Sequence, residues 1–253
     1  MKPKERQLKI IDKVRKEGTV TVEQLVTLFN ASAETIRRDL GVLASSGKIQ
    51  KIHGGAKFSN FQGEGPFQHR MRKNVAEKRQ IAEKACQLIT SGDTLLINAG
   101  STTVILAEEL SKFSKLTIVT NSLDIAKIIG NIPQNTNQVY LLGGEYSHDN
   151  QQTLGAMTIA QLQQFHVQHA ILPIGHIDAV VGVTDFDGAG VAVAQAMLEH
   201  AENVTLLADS SKYNKTAPFV LGRLDQFDRL ICDEPPTGAL YDALIKNNVE
   251  ILY

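Results

Sequence analysis

The chain has 253 residues, 43% hydrophobic and 21% charged, with a formal net charge of -1, an ordinary makeup for a globular protein of one small and one larger domain. No apolar run reaches the roughly 20 residues a membrane-spanning helix needs, and the start MKPKERQLKI has neither an apolar signal core nor a cleavage-site pattern, so a cytoplasmic protein is expected. Cys86 and Cys232 lack the C-x-x-C spacing of a zinc or redox centre and read as reduced core thiols; no metal or cofactor is expected.

The near-zero total hides a segregation. Residues 1–80 hold 17 Lys/Arg against 8 Asp/Glu, or +9, and residues 81–253 hold 9 against 19, or -10. A basic block is equally what a solvated surface looks like, so the local pattern has to decide whether nucleic acid is the partner.

Residues 3–17 predict a first helix with Leu8, Ile11 and Val14 at helical spacing, Ile10 beside them and Gly18 as the stop. A short second helix over 23–29 turns Leu25, Val26 and Phe29 inward and ends at Asn30. Ser32 is a good N-cap for a third helix. At about 100° per residue, Ile36, Leu40 and Leu43 form one stripe of that helix; Glu34 and Arg38 fall opposite, flanked by Thr35 and Arg37. Three helices with a tight turn between the last two make a helix-turn-helix, whose third helix enters the major groove and reads base edges with its first residues. Arginine suits that face because its planar fork donates two bonds to guanine O6 and N7. Asp39 reads as structural, since a carboxylate facing phosphate would be repelled.

Next, Lys48 to His53 read as a strand with basic and polar residues on one face and isoleucines on the other, ended by Gly54 and Gly55. A hairpin behind a recognition helix is a wing whose lysines meet phosphates. His53 is either a wing-tip surface residue or a base contact. R-x3-I-x3-V from Arg6, S-x-x-T-I-R-R-D-L from Ser32 and G-K-I-x-K-x-H-G-G-A from Gly47 resemble the winged-helix signature of the DeoR family of bacterial transcription regulators. The resemblance implies Ser32, Thr35, Arg37, Arg38, Lys48, Lys51 and His53 as contacts to a double-stranded DNA operator.

The expected organisation is a DNA-binding domain at 1–56, a linker at 57–77 with Gly63, Gly65 and Pro66, and a larger domain at 78–253. There, helix and strand patterns alternate: strands at 94–100, 115–122, 138–144, 169–175, 203–211, 229–234 and 249–253, with helices between. Apolar strands joined by helices predict an α/β, Rossmann-like, mostly parallel sheet. In such sheets a ligand sits beyond the carboxyl ends of the strands. Those ends carry Asn98, Gly100, Ser101, Thr102 and Thr103, then Asn121 and Ser122, then Gly143 and Gly144, then Asp209 to Lys212. Small residues at helix N-termini favour an anion, and Lys212 adds a cation.

A-G-S-T-T, T-N-S, G-G-E and D-S-S-K-Y are similar to the sensor motifs of DeoR-type regulators. That resemblance implies a domain related to sugar-phosphate isomerases that binds a phosphorylated sugar as inducer, with Asp178 among its contacts. The chain departs from the family at Asp187-Gly188-Ala189-Gly190, where an acidic run is usual, and at Ala194-Gln195, where a basic residue is usual. The departure implies an altered, smaller or less hydroxylated ligand, or a weakened site.

The function expected is a DNA-binding regulator, a repressor of a carbohydrate-metabolism operon relieved by a phosphorylated sugar or related effector. A homo-oligomer, dimer or tetramer, is expected because one wing module offers limited area. The alternatives are a second domain that only oligomerises, or a sugar-phosphate isomerase working through Asp178, Asp187, Glu145 and Lys212.

Overall fold

A computed structural model describes residues 2–45, 48–58, 65–133 and 136–253, with the side chains of Arg15 and Phe58 excepted. Gly63, named above in the linker, lies outside the described residues. The chain divides into two compact units, Met1–Lys73 and Asn74–Tyr253.

The first unit runs α1 (Pro3–Glu17), β1 (Thr19–Thr21), α2 (Val22–Phe29), α3 (Ala33–Ser45), β2 (Ile49–Ile52), β3 (Gly55–Phe58) and α4 (Phe67–Arg72). Its core is Ile10, Val14, Val20, Leu25, Ile36, Leu40, Leu43 and Ile49. The buried stripe of α1 is thus centred on Ile10 and Val14; Leu8, expected inside, is 61% exposed. Thr21 opens α2 with a reciprocal capping box, its Oγ1 accepting from the Gln24 N–H at 3.2 Å while Gln24 Oε1 accepts from the Thr21 N–H at 2.7 Å.

The wing is three-stranded, in the order β1-β3-β2, and antiparallel throughout. β1 was not anticipated: three residues are too few to show a period. Gly55 permits its pairing, because a Cβ there would stand 2.1 Å from the Val20 carbonyl oxygen. β2 also corrects the expected alternation. K-I-Q-K-I-H repeats every three residues, whereas a strand alternates every two, so Ile49 shares a face with Lys51, and Gln50 with Ile52. Lys51 is nevertheless exposed because β2 is an edge strand and its partner is the small Ala56.

The second unit begins with α5 (Val75–Cys86). It continues through β4 (Thr94–Ile97), α6 (Ser101–Leu110), β5 (Thr117–Thr120), α7 (Leu123–Gly130), β6 (Gln138–Leu141), β7 (Glu145–Ser147), β8 (Gln152–Leu154) and α8 (Ala156–Leu162). There follow β9 (Val167–Pro173), β10 (His176–Asp178), β11 (Gly182–Asp185), α9 (Gly188–Leu198), β12 (Ala201–Leu207), β13 (Phe219–Gly222), β14 (Arg229–Ile231), α10 (Ala239–Lys246) and β15 (Glu250–Leu252). The main sheet has seven parallel strands in the order β15-β14-β12-β9-β4-β5-β6. From adjacent β4 and β9, the chain builds outward in opposite directions, which makes the β4/β9 seam a topological switch point.

Two small antiparallel additions, β7-β8 and β10-β11-β13, had no counterpart in the sequence reading. Their strands have three or four residues each. The expected linker, 57–77, contains the end of β3, all of α4 and the start of α5, and the two units meet at Lys73 and Asn74. Both cysteines are free, and burial pushes each thiol up to about 11.

Candidate DNA interface and effector site

In the first unit, the turn between α2 and α3 is made by Asn30, in the left-handed region at φ 48°, with Ala31 and Ser32. Ser32 Oγ accepts from the Thr35 N–H at 3.2 Å and lies 2.9 Å from Thr35 Oγ1, so both hydroxyls sit at the helix's entry. Asp39 is buried and holds α3 to α1: Arg6 Nε donates to it at 2.5 Å and Gln7 Nε2 at 2.9 Å. With that side anchored, Glu34, Arg37 and Arg38 are exposed on the other. The Arg38 guanidinium lies 3.7 Å from the Glu34 carboxylate, and the Glu23 carboxyl is held below its usual range by the bond from its own backbone N–H and by the Thr21 hydroxyl, with a smaller contribution from the charge of Arg37. Lys48, Lys51 and His53 are exposed along the wing, as is Lys57, which pairs across from Gln50.

In the second unit, β4 ends at the switch point. Asn98 N–H continues the ladder to the Ile171 carbonyl at 3.1 Å, and the Ala99 N–H is held by Asn98 Oδ1 at 2.8 Å and Asn121 Oδ1 at 3.0 Å. Gly100 follows, so close to β9 that a Cβ would stand 2.5 Å from Pro173 Cγ. α6 starts immediately with no side-chain cap, and the first backbone amide to find a helical carbonyl is Val104, on Gly100. The amides of Ser101, Thr102 and Thr103 therefore face out of the helix end, where the dipole is positive. Lys78, 4% exposed, reaches this end from α5 and donates from Nζ to Ser101 Oγ at 2.9 Å. A buried ammonium at an open helix N-terminus is an arrangement for an anion.

Other expected residues support this end. Thr103 Oγ1 donates to the carbonyls of Asn98 and Gly100, Asn121 Nδ2 to that of Thr153, and Ser122 caps α7 by accepting from the Ile125 N–H. Gly143 and Gly144 lie beyond β6, two strands from β4; the Gly143 amide and carbonyl bond with Gln161, and the carbonyl also takes the Thr158 hydroxyl. Asp178 spends one oxygen on the Val180 and Val181 amides in the β10-β11 turn. Lys212 closes the turn after β12, partly buried, and burial with nearby Lys215 lowers it to about 8.

That turn is tied to α5 as well. Asn74, at the helix's N-cap in the left-handed region (φ 52°), donates to the buried Asp209 at 2.8 Å and to Ser211 at 3.4 Å. One turn of α5 thus touches the loops after both β4 and β12. Asn74 and Lys78 were missed in the sequence. The signal for Lys78 was present: it falls in register with Ile81, Ala82 and Ala85 on the apolar stripe of α5, where a lysine is out of place. In the departing segment, Gly188 lies under Phe219, whose ring a Cβ would meet at 2.8 Å, and Gln195 Nε2 donates to the carbonyls of Val220 and Leu221.

A winged helix-turn-helix in one unit and a parallel α/β domain with an anion-suited strand end in the other define a ligand-responsive DNA-binding regulator. Residues 6–62 match the DeoR-like helix-turn-helix domain and residues 73–234 the DeoR C-terminal sensor domain. The chain is 32% identical over 251 residues, 99% of each chain, to the glycerol-3-phosphate regulon repressor of Escherichia coli (strain K12). It is 30% identical to the transcriptional repressor GlcR of Bacillus subtilis (strain 168), covering 100% of this chain and 96% of that one, and 29% identical to the regulator IolR of the same organism, covering 86% of each. The chain belongs to the DeoR family of transcriptional regulators. It is a regulator, not an enzyme, and no helix among the described residues is long and apolar enough to cross a membrane.

Proposed function

We propose that this regulator represses a carbohydrate-metabolism operon and releases it when a small phosphorylated metabolite binds at the N-terminus of α6. The observation that carries the reading is the buried Lys78 ammonium on Ser101, at the strand end where α/β sheets bind ligands. The names of the relatives support it, one being a repressor of a glycerol-3-phosphate regulon. A phosphate would take the open amides of residues 101–103 and the charge of Lys78, while Asn98, Thr103, Asn121 and Ser122 hold the loops. Lys212 supplies a second cation on the loop that Asn74 fastens to α5. Residues 57–77 carry the change to the DNA-binding domain, and two such domains in a homo-oligomer, dimer or tetramer, read two half-sites.

On the DNA side, Ser32, Thr35, Arg37 and Arg38 enter the major groove, and Lys48, Lys51 and His53 follow the backbone along the wing. A ligand relieves repression only as far as it binds one arrangement of these domains better than another. The test is release of the protein from a duplex selected out of a random pool, titrated with glycerol 3-phosphate, hexose phosphates and their unphosphorylated counterparts. One phosphorylated compound releases the complex and its unphosphorylated form does not. Equal action of the two forms, or release undiminished in Lys78→Met, refutes the site; a monomer bound to a single half-site refutes the oligomer.

A further inference from the structure

Glu34 lies on the recognition helix where electrostatics alone would exclude it. It is the second residue of α3, its side chain is 85% exposed, and it sits about 160° round the helix from the buried Ile36, beside Arg38 at about 200°. Helix stability gives a carboxylate two reasons to be in a first turn: the dipole, and an ion pair with an arginine four residues on. The dipole favours any position in the first turn, and the ion pair ties the carboxylate to the face that carries Arg38. On the face that enters the groove, a carboxylate meets two walls of phosphate and carbonyl and ring-nitrogen acceptors on the bases, all of which repel it. The donors exposed in the major groove are the amino groups of cytosine N4 and adenine N6, and adenine sets the N7 acceptor beside its amino group. A carboxylate, which only accepts, is satisfied by cytosine and opposed by the other three bases.

We infer that Glu34 is a specificity-determining residue that accepts a hydrogen bond from the N4 amino group of a cytosine in each half-site. This rests on α3 being the helix that reads DNA. The carboxylate and the Arg38 guanidinium stand 3.7 Å apart on the open face, so Arg38 keeps donors for guanine while Glu34 lies beside it toward the base edges. The residue therefore discriminates without adding to affinity. Any other base at that position, and any non-specific sequence, leaves a carboxylate facing acceptors.

The experiment is selection from a random duplex pool by the full chain and by Glu34→Ala, Glu34→Gln and Arg38→Ala, followed by binding to the selected duplexes at fixed salt. Wild type selects cytosine at one position per half-site and prefers it about tenfold. Glu34→Ala loses that preference at that position alone and binds unselected DNA more tightly. Glu34→Gln changes the preferred base to adenine, whose N6 and N7 match an amide. An unchanged selected sequence in both Glu34 variants overturns the inference, as does a change only at the guanine, which would make Glu34 a positioning residue for Arg38. Arg38→Ala separates the two levels: if it still selects the wild-type site, the reading of α3 itself fails, and if it loses the site while the Glu34 variants keep theirs, only the role of Glu34 fails.

Discussion

Two helix N-termini in this molecule carry cations, and they are built in opposite ways. At α3 the charges stand in water, with the Arg38 side chain 79% exposed, and the helix is anchored from behind by the buried pair of Asp39 and Arg6. At α6 the charge itself is buried: Lys78 is 4% exposed, on a hydroxyl, and the supporting bonds around it join one loop to the next. A long polyanion can be met by solvated side chains because its own charge density supplies the attraction. A small anion offers a few oxygens, so the protein must remove water and orient donors in advance, which costs stability that the ligand returns.

Substitutions should therefore tell mainly on stability behind α3 and mainly on ligand binding at the N-terminus of α6. The largest effect is expected behind α3. Arg6→Ala leaves Asp39 buried against the Gln7 amide, and breaking a buried pair from one side costs about 3–5 kcal/mol. In a unit of this size that removes most of the stability. Urea unfolding followed by a probe in residues 1–73 should show the midpoint collapse, with the second unit's transition unmoved; a loss under 1 kcal/mol would mean the pair does not anchor α3. Next is Lys78→Met, read by ligand affinity. Losing a charge-assisted contact of about 1.5–3 kcal/mol lowers affinity for the phosphorylated effector on the order of tenfold to 100-fold by calorimetry. Unchanged affinity in a folded Lys78→Met would remove Lys78 from the site.

The same contrast explains what could be read from the sequence. Exposed functional residues leave the apolar stripe of a helix intact, so Ile36, Leu40 and Leu43 located Arg37 and Arg38 by elimination. The parallel sheet was legible because buried strands are continuous apolar runs. The strand ends beside the β4/β9 seam were legible only as loops. Thr103, Asn121 and Ser122 look like ligand contacts in sequence, yet the structure spends their side chains on neighbouring backbone, and nothing in a sequence separates a hydroxyl that caps from one that binds. Lys78 showed as a charge on an apolar stripe, but its target was 23 residues away. The wing misled for a simpler reason: its three-residue repeat imitates a pattern that a two-residue strand period does not obey.

Lys212 sharpens the comparison through pH. Burial and Lys215 lower it to about 8 from an ordinary 10.5. Between those values the unfolded chain binds the proton and the folded one does not, so this group makes stability rise with pH from about 8 to 10.5. Effector binding takes the opposite sign, because an anion favours the protonated amine. Affinity should fall by up to about tenfold per pH unit above 8 and level off in Lys212→Met. A profile that stays flat from pH 7 to 10 in wild type would remove Lys212 from the site.

The smallest effect belongs to the wing. Lys51 is exposed on an edge strand opposite Ala56, so truncating it should leave stability within about 0.5 kcal/mol. If its ammonium lies on a phosphate, Lys51→Ala releases one fewer counterion per bound wing, and the slope of log K against log salt becomes shallower by about 0.9 for each. The loss should be the same for selected and unselected duplexes, because a phosphate contact carries no base information. This separates the wing from α3, where Arg38→Ala costs selected sites about 1–3 kcal/mol more than unselected ones. An unchanged salt slope would place Lys51 off the backbone; a loss confined to selected duplexes would mean that the wing, too, reads bases, and that the division between a reading helix and a gripping wing does not hold in this chain.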